Sequence, residues 1–138
     1  MKINQVLALA MGLTFASKAS AEIKVLQPWI SPSEGKNSSL FMTIINTSNK
    51  PDKLVGVETN VSPLVEFHEN VKENGKMALE KLNYIGIPRN GRNDLEPGHT
   101  HIMLKDINHP LEPGQIVNVR LHFESGNNLE LKVPVEKK

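Results

Sequence analysis

Ile116-Val117-Asn118-Val119-Arg120-Leu121-His122-Phe123 alternates apolar and polar residues, and Leu129 to Val135 repeats the pattern through Leu129, Leu131, Val133 and Val135. Between them, Ser125-Gly126-Asn127-Asn128 has turn composition. Side chains on a strand alternate between faces with a period of two. The pair therefore reads as a β-hairpin whose apolar sides, Val117, Val119, Leu121 and Phe123 on the first strand, turn toward one core.

The rest of the chain reads the same way. Glu22 to Leu26 alternates and begins a strand, followed by Pro28-Trp29-Ile30 and a loop rich in Pro, Ser, Gly and Asn through Ser38. Trp29, the only tryptophan, is most economically a core or rim anchor. Ser39 to Ile45 is rich in β-formers and stops at the turn cluster Asn46 to Asn49, with Met42 read as packing. Lys53 to Glu58 and Leu64 to Glu69 follow, the latter with Val65 and Phe67 on one face and Glu66 and His68 on the other. Asn74-Gly75 is a hairpin signal leading into Lys76 to Leu82, with Met77 and Leu79 sharing a face. Ile85 and Ile87 are expected to continue that strand to Pro88, and Arg89 to Asp94 to be loop. About eight short strands with turn chemistry between them, and no helical period, predict an all-β sandwich or barrel.

The first 21 residues have a different character. Lys2 followed by the continuous apolar run Val6 to Leu13, too short to span a bilayer, and the small-x-small sequence Ala19-Ser20-Ala21 predict an export signal cleaved near Ala21. The expected organisation is residues 1–21 as signal peptide and 22–138 as one domain. Removing the signal takes away Lys2 and Lys18 and no acid, turning the formal charge from +1 to −1. Without a basic cluster there is no reason to expect nucleic acid or anionic lipid as partner, and without a second apolar run no membrane insertion. There is no cysteine, so the fold has no disulfide, a thiol nucleophile is excluded, and any soft-metal site must be built from Met and His.

Pro97-Gly98-His99-Thr100-His101-Ile102-Met103-Leu104 concentrates such residues. If extended, it projects positions 99, 101 and 103 to one face. Imidazole suits copper, and thioether sulfur selects Cu(I). Taken alone, the segment is more economically a half-buried strand with Ile102 and Leu104 in the core, its histidines solvated and Met103 at the edge.

His68-Glu69, Gly75-Lys76-Met77, Ile85 to Pro88, Leu95 to Gly98, His101 to Leu104, Pro110-Leu111 and Gly114 together resemble the PCu(A)C family of periplasmic copper chaperones. Trp29, Asn46 and Asp52 to Gly56 extend the resemblance over nearly the whole mature chain. Its most specific part is a His, about ten residues to a Met, then 21 intervening residues to His-x-Met. The resemblance implies a cupredoxin-like Greek-key β-sandwich holding Cu(I) near its surface, with His68, His101 and Met103 as ligands. The remaining methionine belongs at position 79, where this chain has Leu79. Met77, two positions earlier on the same strand face, and His99 are the two candidates to fill that gap, and a three-ligand site is physically reasonable for Cu(I). Glu69 reads either as a hydrogen-bonding partner of a ligating imidazole or as a solvated charge. His109 and His122 read as surface residues.

The implied function is a copper metallochaperone in the periplasm, favouring Cu(I) with Cu(II) as a second state. Its implied partners are a copper-accepting protein such as the cytochrome c oxidase subunit carrying the CuA centre, and a thiol-based copper chaperone working beside it. A blue-copper electron carrier needs a cysteine thiolate and is excluded. No nucleophile–base set, paired carboxylates or phosphate loop stands out, so no catalytic residue is assigned and no enzyme is expected. The serious rival is a degenerate member that binds Cu(II) or another metal weakly through histidines and acts as a buffer or binding module.

Overall fold

The computed structural model describes residues 22–138; the expected signal peptide and its cleavage after Ala21 lie outside the described residues. Ten strands build the domain: β1 (Ile23–Ile30), β2 (Ser38–Asn46), β3 (Asp52–Thr59), β4 (Leu64–Glu73), β5 (Lys76–Leu82), β6 (Ile85–Ile87), β7 (Gly91–Leu95), β8 (His101–Lys105), β9 (Ile116–Phe123) and β10 (Asn128–Pro134). They form two antiparallel sheets. The larger runs β1-β2-β8-β4-β5, with β7 also paired to β2; the smaller runs β10-β9-β3-β6. The chain crosses repeatedly between the sheets, and the result is the expected cupredoxin-like β-sandwich.

Alternation explains the core. Leu40, Ile44, Ile102 and Leu104 from the larger sheet meet Leu54, Ile85, Leu121 and Val133 from the smaller, all essentially without solvent contact. The hairpin of β9 and β10 pairs Val119 with Leu131 and Leu121 with Leu129, as the alternation requires. Asn74 and Gly75 both have positive φ (51° and 80°), the conformation a two-residue hairpin turn demands, and they join β4 to β5.

The strand count exceeds the expected eight for two physical reasons. Ile85 and Ile87 do not continue β5. They are buried on either side of exposed Gly86, and they pair with Leu54 and Asp52 in the opposite sheet. The chain thus changes sheets at Asn83-Tyr84 to bring both isoleucines inward. Gly91 to Leu95 is not loop either: it pairs residue by residue with Asn46 to Met42. Its charged residues disguise a strand whose outward side chains face solvent, where Thr43 donates to Asp94 (2.7 Å) and Arg92 approaches the same carboxylate (3.3 Å).

Two irregularities place the residues that matter. In β1, Leu26 pairs with Thr43 and Trp29 with Phe41, so one extra residue is accommodated beside Pro28, with Gln27 at φ 48°. The bulge reverses the parity of alternation and puts Trp29 on the outer face of the larger sheet, stacked on Phe41 with ring centroids 4.7 Å apart. On the other edge of β2, β8 takes Ser38 to Leu40 and β7 takes Met42 to Asn46. Strand β8 is therefore short, and it sits between β2 and β4.

Candidate metal centre

The pairing of β4 with β8 matches Phe67 with Ile102, His68 with His101 and Glu66 with Met103. Phe67 and Ile102 point inward and are buried. Their neighbours must therefore point outward, and His68, His101, Glu66 and Met103 share the outer face. Pairing with β5 continues this face: His68 opposes Lys81, Asn70 opposes Leu79 and Lys72 opposes Met77. Side chains directly opposite across an antiparallel pair have Cβ atoms about 4.5–5.5 Å apart.

The two imidazoles are the centre of this arrangement. Their centroids lie 5.9 Å apart with planes 36° from parallel. His101 is buried, with Phe41 at 6.2 Å on its far side. Its Nδ1 lies 2.9 Å from the carbonyl oxygen of His99. A carbonyl can only accept, so Nδ1 carries the proton and Nε2 of neutral His101 presents its lone pair.

His68 is held the other way round. Its Nε2 donates to Glu66 at 2.9 Å, which leaves Nδ1 as the bare nitrogen of the neutral ring. That Nδ1 is buried and has no hydrogen-bond partner. A buried polar atom left unpaired costs about 1–3 kcal/mol. The other unpartnered buried side-chain atom among the described residues is Oδ1 of Asn70, two residues along the same face.

Glu66 also lies 3.5 Å from Lys81 and 3.6 Å from Lys105. The hydrogen bond from His68 holds its carboxyl below the usual carboxylate value, and Lys105 and Lys81 add to this against desolvation, which acts in the opposite direction. Glu66 is thus the carboxylate that orients His68. Glu69, the candidate for that role from sequence, falls on the opposite side of β4 because it is one residue away rather than two. Glu66 was legible by the same alternation that put it on the face of His68.

The sequence-derived candidates separate into two groups. His68, His101 and Met103 come together. Met77 is on the same face but highly exposed (59%), opposite Lys72 and four residues along β5 from the partner of His68. Leu79 is also exposed. His99 does not extend β8; it lies exposed in the turn that follows Gly98, with its amide bonded to the Glu96 carbonyl. The expected projection of 99, 101 and 103 to one face therefore begins only at His101. The backbone of His99, through its carbonyl, nevertheless fixes the tautomer of His101.

Two imidazole lone pairs and a neighbouring thioether suit a borderline-to-soft cation. A buried nitrogen whose other ring position is already bonded to a carboxylate is a familiar form of ligating histidine. Among the described residues no group of three or more His, Asp and Glu is disposed to hold a metal ion, so an ion bound here must draw on other donors. The cleft of about 880 Å³ beside β3, β4 and β9 reaches this face through Leu64, Glu66 and Lys81, and it contains neither imidazole.

Fold and site define a small all-β domain that presents paired imidazoles and a thioether on one sheet. The chain belongs to the LpqE-like family of PCuAC-related proteins: the family model, described as "Putative lipoprotein LpqE-like", matches residues 23–135. A relative from Leifsonia xyli subsp. xyli, "Putative lipoprotein Lxx21020", is 28% identical over 99% of this chain and 89% of its own. The "Copper-bound PCuAC domain from PmoF2" superposes with a TM-score of 0.72 at 28% identity, covering 85% of this chain and 94% of that domain. The solution structure of CuI-DR1885 from Deinococcus radiodurans superposes with a TM-score of 0.65 at 26% identity, covering 89% and 86%.

Proposed function

We propose that this protein is an exported copper metallochaperone that carries Cu(I) on the outer face of its larger sheet and passes it to a partner by ligand exchange. The observation that carries this reading is the bare, buried Nδ1 of His68 opposite the free Nε2 of His101. His68, His101 and Met103 are the ligands we assign, with Met77 supplying a further thioether when the β4–β5 hairpin closes over the ion. The likeness to copper-bound and Cu(I)-bound domains supports copper as the cargo.

The chemistry suits an oxidising compartment such as the periplasm. Thioethers neither deprotonate nor form disulfides, so a Met/His site persists where a thiolate site would be oxidised. Exposure of Met77 and Leu79 beside the site lets an acceptor's ligands approach before the donor's let go. The acceptor in this reading is the CuA-bearing subunit of cytochrome c oxidase, served alone or beside a thiol-based chaperone. The family's lipoprotein names support export. Among the described residues no helix is long and apolar enough to cross a membrane. The role is binding and transfer rather than catalysis.

Anaerobic competition for Cu(I) against a chromogenic chelator tests the reading. One-to-one binding that weakens in His68→Ala, His101→Ala and Met103→Ala is the expected result. Failure of the protein to compete at all would overturn it.

A further inference from the structure

Resting on the copper-site reading above, we infer that the side-chain carbonyl of Asn70 is a metal donor that takes the coordination position left open by Leu79. Asn70 directly opposes Leu79 across β4 and β5, so the two side chains are neighbours on the outer face, beside the place where the family resemblance puts a thioether. Leucine offers no hydrogen bond. The Asn70 Oδ1 is buried and unpartnered, and it shares that condition with Nδ1 of His68 alone among the buried side-chain atoms of the described residues. The two atoms belong to residues i and i+2 of one strand and so lie on one face. Two desolvated acceptors two residues apart on one strand face, neither of them with a donor, are what a cation would satisfy together. Neither Lys81 nor Lys105 fills this role, since both are engaged with Glu66 on the other side of His68.

The exchange has a chemical consequence. With the hairpin open and Met77 exposed, the set is two imidazoles, one thioether and one amide oxygen, which is harder than two imidazoles and two thioethers. Carbonyl oxygen suits hard cations, whereas thioether sulfur selects Cu(I). Asn70 thus lowers the discrimination of this site between Cu(I) and Cu(II), so that the protein holds copper in either state.

The test is titration of the full protein with Cu(II), read by electron paramagnetic resonance, in parallel with Cu(I) competition, for the wild type, Asn70→Leu and Asn70→Ser. One Cu(II) per chain is expected. In Asn70→Leu the Cu(II) dissociation constant should rise by about tenfold or more with altered spectral parameters, while that for Cu(I) changes by less than about threefold. Metal-free Asn70→Leu should melt at a higher temperature than wild type, because it removes a buried unpaired oxygen, and Asn70→Ser supplies a smaller change should the leucine disturb the hairpin. Wild-type and variant proteins that bind Cu(II) with the same affinity and spectrum would overturn the assignment of Asn70 while leaving the copper site intact. A wild-type protein that binds neither oxidation state would overturn the copper-site reading itself.

Discussion

His68 and His101 stand directly opposite one another on β4 and β8, and their rings are held in opposite tautomers: His68 donates through Nε2 to Glu66, His101 through Nδ1 to the His99 carbonyl. Each neutral ring consequently keeps one lone pair free. The carboxylate and the carbonyl that set this are as much a part of the site as the imidazoles, because they decide which nitrogen is available before any ion arrives.

Glu66→Gln is expected to weaken Cu(I) binding by about 10- to 100-fold, the usual effect of losing the carboxylate behind a ligating histidine. Glu69→Gln, on the opposite side of β4, should leave affinity unchanged. Parallel chelator competition on the two variants checks this, and equal effects would contradict the assigned role of Glu66.

Position 79 is open to a gain-of-function test. Leu79→Met, diagonal to His68 across β4 and β5, should tighten Cu(I) binding by about tenfold through an added thioether. In that background Met77→Ala should matter less than it does in the wild type. His99→Ala should have little effect in either, since the group His99 contributes is its backbone carbonyl.

The inner side of β8 governs stability separately from chemistry. Leu104→Ala is expected to cost about 2–5 kcal/mol, and Ile102→Val about 0.5–1.5 kcal/mol, since both side chains are fully buried. Denaturant unfolding measures both. Ile102→Val should keep wild-type copper affinity, because the outward residues His101 and Met103 keep their positions.

On the smaller sheet, protonated His122 donates to Glu58 (3.0 Å) through Nε2 and to Asn128 (2.8 Å) through Nδ1, and chiefly the first of these raises its pKa above the ordinary value. The same hydrogen bond lowers the pKa of Glu58. The stability contributed through His122 is fully present below the ordinary histidine pKa of about 6.5 and is lost as pH rises through the raised value. That contributed through Glu58 is present above its ordinary pKa and is lost as pH falls through the lowered one. Urea midpoints measured from acid to mildly alkaline pH should therefore decline on the alkaline side in the wild type and decline less in His122→Gln. Superimposable profiles would contradict the pairing.

What could be read from sequence follows from how local each feature is. The β9–β10 and β4–β5 hairpins were legible because alternation and turn chemistry are written into adjacent residues, as at Asn74-Gly75. Strand β7 was hidden by Arg92, Asn93 and Asp94, which are strand residues only because Met42 to Asn46 offers them a partner edge. The crossing at Tyr84 depends on where two isoleucines find a core, which period-two reading along one strand does not reveal. At the site, His68, His101 and Met103 came from a long-spaced motif. Asn70 carried no such signal, since its significance lies in the leucine opposite it and in the burial of one oxygen.

The most direct test of the central claim is long-range proton–nitrogen correlation of the histidine side chains during anaerobic addition of one equivalent of Cu(I). The account predicts that Nδ1 of His68 and Nε2 of His101 shift together and saturate at one copper per chain, while His109 and His122 stay in place. Unmoved His68 and His101 resonances, or a response confined to His99, would contradict it.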